Sequence, residues 1–144
     1  MKFTLGWLKE HLETDSSLDE IVDTLTMVGL EVEGGVDRAK DLLPFVIGRV
    51  TKVTPHPNAD RLRLCIVDTG LEQFEVVCGA PNVRSGIKGV FAPIGTYIPG
   101  GKFTLEERAI RGVTGQGMLC SERELGLSED HDSIIELDPE VKIG

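Results

Sequence analysis

The sequence contains no apolar run near the roughly 18 residues that a membrane-crossing helix requires, so no membrane partner is expected. Its first residues, Met1-Lys2-Phe3-Thr4-Leu5-Gly6-Trp7, have no basic stretch leading into a long apolar one. They do not read as a signal peptide. There are three cysteines, Cys65, Cys78 and Cys120, and no Cys-x-x-Cys pair. That odd set argues against a disulfide framework or a zinc site, and for a reducing, cytoplasmic compartment. Each cysteine reads as a small buried hydrophobe. No Gly-Lys-Ser/Thr phosphate loop occurs. The carboxylates Glu122, Glu124, Glu129, Asp130 and Asp132 lack calcium-loop spacing and read as a solvated acidic face. His11, His56 and His131 sit in unrelated contexts, so no Cys–His pair for nucleophilic catalysis is suggested. The chain is therefore not expected to be an enzyme, and it is expected to hold no metal and no cofactor.

What remains is a soluble, globular composition. The 144 residues are 40% apolar. That supports one ordinary core, or a small barrel with a helical appendage. The net charge of −9 counts against nucleic-acid binding. Its distribution softens the objection. Residues 1–38 hold three basic groups against nine acidic ones, whereas residues 44–126 hold ten against eight.

Ser17-Leu18-Asp19-Glu20 has the spacing of a reciprocal helix cap. Leu18, Ile21, Val22, Leu25 and Val28 then form one stripe of an amphipathic helix, and Gly29 can end it. Trp7 to Leu12 predicts a further turn or two of helix. The character changes near 39–44. From Phe45 onward, short β-branched runs between glycines and prolines predict strands. They fall at about 46–54, 62–68, 74–78 and 88–94. A fifth region covers 108–113 with 118–121, and Ser133–Leu137 closes the set. Gly86-Ile87-Lys88-Gly89 and Pro99-Gly100-Gly101-Lys102 read as barrel corners or hairpin turns. There are no internal repeats and no low-complexity linker. Such spacing predicts a mainly β protein, a small Greek-key barrel, with an N-terminal helical segment.

Three dense runs carry the functional signal: His56-Pro57-Asn58-Ala59-Asp60-Arg61-Leu62, Val77-Cys78-Gly79-Ala80-Pro81-Asn82-Val83, and Arg111 through Leu127. The first reads foremost as a rigid loop between strands. Its functional reading has His56, Asn58 and Arg61 facing a nucleic-acid backbone. In the third, Arg111, Gln116 and Ser121 surround the apolar pair Met118-Leu119. Arginine offers a fork that matches phosphate and a plane that stacks on bases. Arg111 reads equally as a structural arginine holding loop carbonyls.

These runs, together with Met1-Lys2-Phe3-Thr4-Leu5-Gly6-Trp7-Leu8, Leu25-Thr26-Met27-Val28-Gly29-Leu30-Glu31-Val32-Glu33 and Glu124-Leu125-Gly126-Leu127-Ser128-Glu129-Asp130-His131, carry a resemblance. The chain resembles the N-terminal portion of bacterial phenylalanyl-tRNA synthetase β subunits. Its middle is similar to the tRNA-binding OB domain, which also occurs in stand-alone tRNA-binding proteins and beside some methionyl-tRNA synthetases. The resemblance implies an OB-fold barrel over about 42–144 and a helical segment over 1–41, completed by chain beyond the barrel. It implies that the sequence is a fragment of a longer subunit. It implies auxiliary, largely backbone-directed tRNA binding, or else a packing module of the synthetase with little RNA contact. The implied partners are tRNA, the remainder of the β subunit and the α subunit, which performs the ATP- and Mg-dependent ligation of phenylalanine. The RNA-binding candidates are Arg111, Gln116, Ser121, Asn82, Arg84, His56, Asn58, Arg61, Arg49 and Lys52. Two departures weaken the expected affinity. Gly115 stands where relatives commonly carry serine or another polar residue, and Glu106-Glu107 precede Arg108 where relatives are often lysine-rich.

Overall fold

Ser17 closes the cap that its spacing predicts. Its hydroxyl accepts from the Glu20 N–H at 3.3 Å, and the Glu20 carboxylate accepts from the Ser17 N–H at 2.8 Å. That backbone hydrogen bond, seconded by one from the Ser17 hydroxyl, holds the Glu20 carboxyl below the usual carboxylate range. The computed structural model describes all 144 residues. They form two compact units, Met1–Asp37 and Arg38–Gly144.

In the first unit, helix α1 spans Leu5–His11 and helix α2 spans Leu18–Met27. Gly29, at φ 91°, ends α2. The N–H of Leu30 reaches back to the Leu25 carbonyl at 2.9 Å, and that of Gly29 to Thr26 at 3.1 Å. These are the two bonds of a Schellman stop, which needs the left-handed residue that glycine supplies most cheaply. Neither helix has a fully buried residue. Along the α2 stripe, Leu18, Ile21, Val22 and Leu25 are half-buried and Val28 is exposed.

The second unit opens with the short helix α3, Arg38–Leu42. Five strands then build one antiparallel sheet: β1 Val46–His56, β2 Ala59–Asp68, β3 Gln73–Cys78, β4 Lys88–Pro93 and β9 Gly117–Leu119. Their order is β3-β2-β1-β4-β9. Strand β1 serves both halves, pairing with β4 through 46–49 and with β2 through 49–56. A register shift between Val50 and Lys52 leaves Thr51 unmatched and bends the strand there. The connection from β4 to β9 folds into two small hairpins. The first pairs β5, Tyr97–Ile98, with β6, Phe103–Thr104; the second pairs β7, Arg108–Ile110, with β8, Val113–Gly115.

Val50, Cys65, Val67, Val76, Phe91 and Leu119 fill the barrel interior, and Val83 and Ile87 join them from the β3–β4 loop. A second cluster, Ala92, Ile98, Cys120 and Leu125 with Phe45, Leu105 and Met118 against it, covers the outer side of β4 and β9. This explains why β4 shows no alternation: Phe91 points into one core and Ala92 into the other.

Ser133–Leu137 does not form the predicted strand. It makes a single bridge, Leu137 to Lys88. The Asn82 side chain occupies both backbone groups of Ile134, donating to its carbonyl at 3.0 Å and accepting from its N–H at 3.1 Å. Ile135 and Leu137 still donate to the Cys120 and Lys88 carbonyls at 2.9 and 2.8 Å, so the segment meets the barrel through separate bonds on one side while Asn82 takes the place of a strand on the other. The buried Lys88 ammonium holds the tail that follows, donating to the carbonyls of Pro139 and Val141.

Candidate nucleic-acid interface

The β1–β2 turn and the β4–β9 connection meet through side-chain bonds. His56 is buried at the end of β1. Its Nδ1 accepts from the Asn58 N–H at 3.0 Å, which leaves Nε2 as the ring donor toward the Ile110 carbonyl, also at 3.0 Å. The Asn58 amide then donates to the Arg111 carbonyl at 3.0 Å. The two residues of the β7–β8 turn are Arg111 at φ 50° and Gly112 at φ 88°. Two successive positive φ values define the primed turn that suits a two-residue hairpin. Arginine there costs about 1 kcal/mol that glycine would avoid. Lys102, at φ 54°, is the one positive-φ residue of the longer β5–β6 turn. These two exposed cations, one on each hairpin turn, are the chain's non-glycine residues at positive φ.

The predicted candidates separate into two groups. Exposed cations form the first. Arg61 lies near the start of β2, beside the β1–β2 turn, and Arg111 on the hairpin turn tied to it. Arg49 and Lys52 lie further back on β1, Arg49 being seven positions or roughly 23 Å along the strand from His56. The second group spends its polar atoms on the fold. Gln116 closes the barrel: its N–H donates to the Glu75 carbonyl at 2.8 Å and its side-chain oxygen accepts from the Glu75 N–H at 2.9 Å. Ser121 is buried, with its hydroxyl and its N–H both donating to the Glu124 carboxylate. Asn82 holds Ile134, and His56 and Asn58 hold the second hairpin. Arg84 pairs with Glu136. The hydrogen bond from that guanidinium holds the Glu136 carboxyl down, and Glu136 in turn raises Arg84. Both side chains are about half exposed, so water and salt screen the pair.

Three residues of the two hairpins went unread as site candidates in the sequence: Lys102, Phe103 and Arg108. Pro99-Gly100-Gly101-Lys102 signalled a turn, but nothing in it signalled that Phe103 just after it would share a cleft with the next hairpin. That cleft is lined by Phe103, Arg108, Ile110, Val77 of β3 and Met118 of β9. Gly115 is buried, and a Cβ on it would meet the Val77 nitrogen and the Gly117 carbonyl at an ordinary 3.8 Å. The space for a serine therefore exists.

Burial works against a thiolate at each cysteine. Burial pushes the Cys65 and Cys120 thiols up to about 12 from an ordinary 9.0, with Cys78 and Glu124 respectively as lesser causes. Burial raises Cys78 as well. The fold thus favours the protonated thiols, an advantage fully present below about pH 9 and lost as pH rises toward 12. Iodoacetamide at neutral pH is expected to leave all three unmodified in the native chain and to label all three in urea. Rapid native labelling, read by mass spectrometry, would show the cores to be open.

A small antiparallel barrel whose first turn and long last connection converge at a cation-bearing lip is an OB barrel, the architecture that receives oligonucleotides and oligosaccharides there. The chain belongs to the family of putative tRNA-binding domains, whose model matches residues 45–144. It is 58% identical to the phenylalanine–tRNA ligase β subunit of Bradyrhizobium diazoefficiens and 54% identical to that of Nitrobacter winogradskyi, over all of this chain. It spans 18% and 19% of those relatives' lengths. A solved MetRS related protein from Pyrococcus horikoshii shares the fold, with a TM-score of 0.54. The match covers 77% of this chain and 95% of that one at 24% identity.

Proposed function

We propose that this chain is the tRNA-binding module of a phenylalanine–tRNA ligase β subunit and contacts RNA mainly through the phosphate backbone. The observation that carries the reading is the lip itself. His56 and Asn58 clamp the β7–β8 hairpin to the β1–β2 turn, so the Arg111 turn is fixed to the same turn from which β2, with Arg61, departs. Arg61 and Arg111 are the phosphate contacts in this reading, with Arg49 and Lys52 extending the track along β1. Gln116, Ser121, Asn82 and Arg84 shape the surface. The module works in the cytoplasm, joined to the rest of the β subunit. The α subunit supplies the ATP- and Mg-dependent attachment of phenylalanine to tRNA, and this chain contributes binding and no chemistry. The net charge of −9 favours a second reading, a packing module that touches RNA little.

Salt dependence separates the two. For backbone contacts, log K falls linearly with log salt, by roughly 0.7–0.9 per neutralised phosphate. Filter binding of tRNA across a salt series is expected to give such a line. No binding even at the lowest salt would leave the packing module standing. Arg111→Ala is expected to weaken binding and reduce the slope by about one. Its melting temperature should stay where it was, because the positive-φ cost is common to both residues and the turn is tied through the Arg111 carbonyl. Full tRNA affinity in Arg111→Ala would remove this residue from the site.

A further inference from the structure

The two hairpins, with β3 and β9, enclose a cleft of about 600 Å³. We propose that it takes one unpaired nucleobase of RNA, stacked on Phe103, with the flanking phosphates on Lys102 and Arg111. This deepens the RNA-binding reading above and rests on it. The volume falls within the roughly 300–1,000 Å³ of small-ligand sites. The walls are mostly apolar, with Val77, Ile94, Ile110 and Met118 among them; Glu106 and Arg108 line it as a charged pair of opposite sign, and Lys102 and Arg111 lie on the turns outside the lining. A base offers a flat π-face to such a surface whatever its identity. Phe103 is 45% exposed. Its ring lies where a Cβ on Gly101 would stand 2.3 Å from Cε1 and 2.7 Å from Cδ1, so the missing side chain of Gly101 leaves the room the ring occupies beside the turn. The platform is in place before any ligand arrives.

Charge selects the occupant. In a chain of net charge −9, residues 102–111 carry Lys102, Arg108 and Arg111 against Glu106 and Glu107. Lys102 and Arg111 hold positive φ, where backbone energetics favour glycine, and so place cations at both hairpin turns. An apolar side chain from elsewhere in a longer subunit would fill the walls but would use neither cation. A base within a duplex is stacked on both faces and cannot enter. The ligand is therefore an unpaired nucleotide.

The test uses a single-stranded RNA hexamer carrying 2-aminopurine, the same sequence as a duplex, and whole tRNA, all at low salt. Stacking on Phe103 is expected to quench the single-strand fluorescence to saturation and to leave the duplex unchanged. Phe103→Leu, which keeps apolar bulk and removes the π-face, is expected to weaken hexamer binding about tenfold, and Phe103→Tyr to restore it. Equal hexamer affinity in Phe103→Leu and the native chain overturns the proposal. So does an absent quench while tRNA still binds. If neither tRNA nor hexamer binds, the RNA-binding reading fails as well. Should Phe103→Leu melt early, Lys102→Gln replaces it: a hexamer salt slope shallower by about one supports the proposal, and an unchanged slope overturns it.

Discussion

Gly100→Ala is expected to lower the melting temperature by about 10 °C, from a loss of roughly 3 kcal/mol. A Cβ at Gly100 would stand 1.6 Å from the Arg123 carbonyl oxygen, 2.7 Å from its carbon and 3.1 Å from the Glu124 carbonyl carbon. These are backbone atoms, so no rotamer change relieves the contact. The approach is fixed from both sides. The Gly100 N–H donates to the Glu124 carbonyl at 2.9 Å. The opposing turn is closed by Ser121 on Glu124, by Gly126 on Arg123 at 3.0 Å and by Leu127 on Glu122 at 2.9 Å. Either the β5–β6 turn or the 121–127 turn must move away. If the β5–β6 turn moves, Lys102 and Phe103 move with it, and hexamer binding falls along with stability. Gly35→Ala is the control: a Cβ there meets nothing within 4 Å, and the change should cost within about 0.5 kcal/mol. Calorimetric melting of the two variants decides. Equal melting temperatures would show that the Gly100 contact opens at no cost.

The regular parts of the fold were legible because each carries its own local rule. Ser17 and Glu20 announce a helix start through their spacing, and Gly29 its end. β1, β2, β3 and β4 follow from short β-branched runs between turn formers. The strand expected at Ser133–Leu137 failed for a non-local reason. Its pattern of apolar residues is correct, and Ile134 is buried, but the Asn82 side chain satisfies Ile134 in place of a neighbouring strand. Asparagine can imitate a backbone partner only where the chain brings it, and 52 residues separate the two. The site was legible in the same uneven way. The dense runs cover the candidate lip, since they hold the β1–β2 turn and the end of the β4–β9 connection. Residue chemistry did not reveal which polar groups the fold would consume. His56, Asn58, Gln116 and Ser121 all have the hydrogen-bonding capacity to meet RNA. The structure engages His56 with Ile110, Asn58 with Arg111, Gln116 with Glu75 and Ser121 with Glu124. Arg111 read equally as a phosphate fork or a structural arginine. In the fold the turn is held through its carbonyl, and its side chain is exposed.

Phe91→Ala is expected to be the costliest single truncation in the barrel, at about 3–5 kcal/mol, a large part of the roughly 5–15 kcal/mol of a typical domain's stability. Phe91 is fully buried and heads the residues of greatest volume in the core. Its ring stacks on Phe74 at 4.9 Å between centroids, across the barrel from β4 to β3. The same ring explains a glycine. A Cβ on Gly117 would lie 2.3 Å from Cε2 and Cζ of Phe91, and 2.7 Å from the Ala92 carbonyl oxygen. Gly117 thus leaves room for a ring and for a neighbouring strand at once. The two obstacles can be parted by a double-mutant cycle. Gly117→Ala in the native background meets both; in the Phe91→Ala background it meets only the carbonyl. Its cost should therefore drop by about 1 kcal/mol or more in the second background without vanishing, because the paired backbone of β4 has not moved. Urea denaturation of the four proteins measures this. An identical Gly117→Ala penalty in both backgrounds would mean that strand spacing alone, and not the Phe91 ring, dictates the glycine. A penalty that disappears with Phe91 would mean that β9 has room to shift away from Ala92 once the ring is gone.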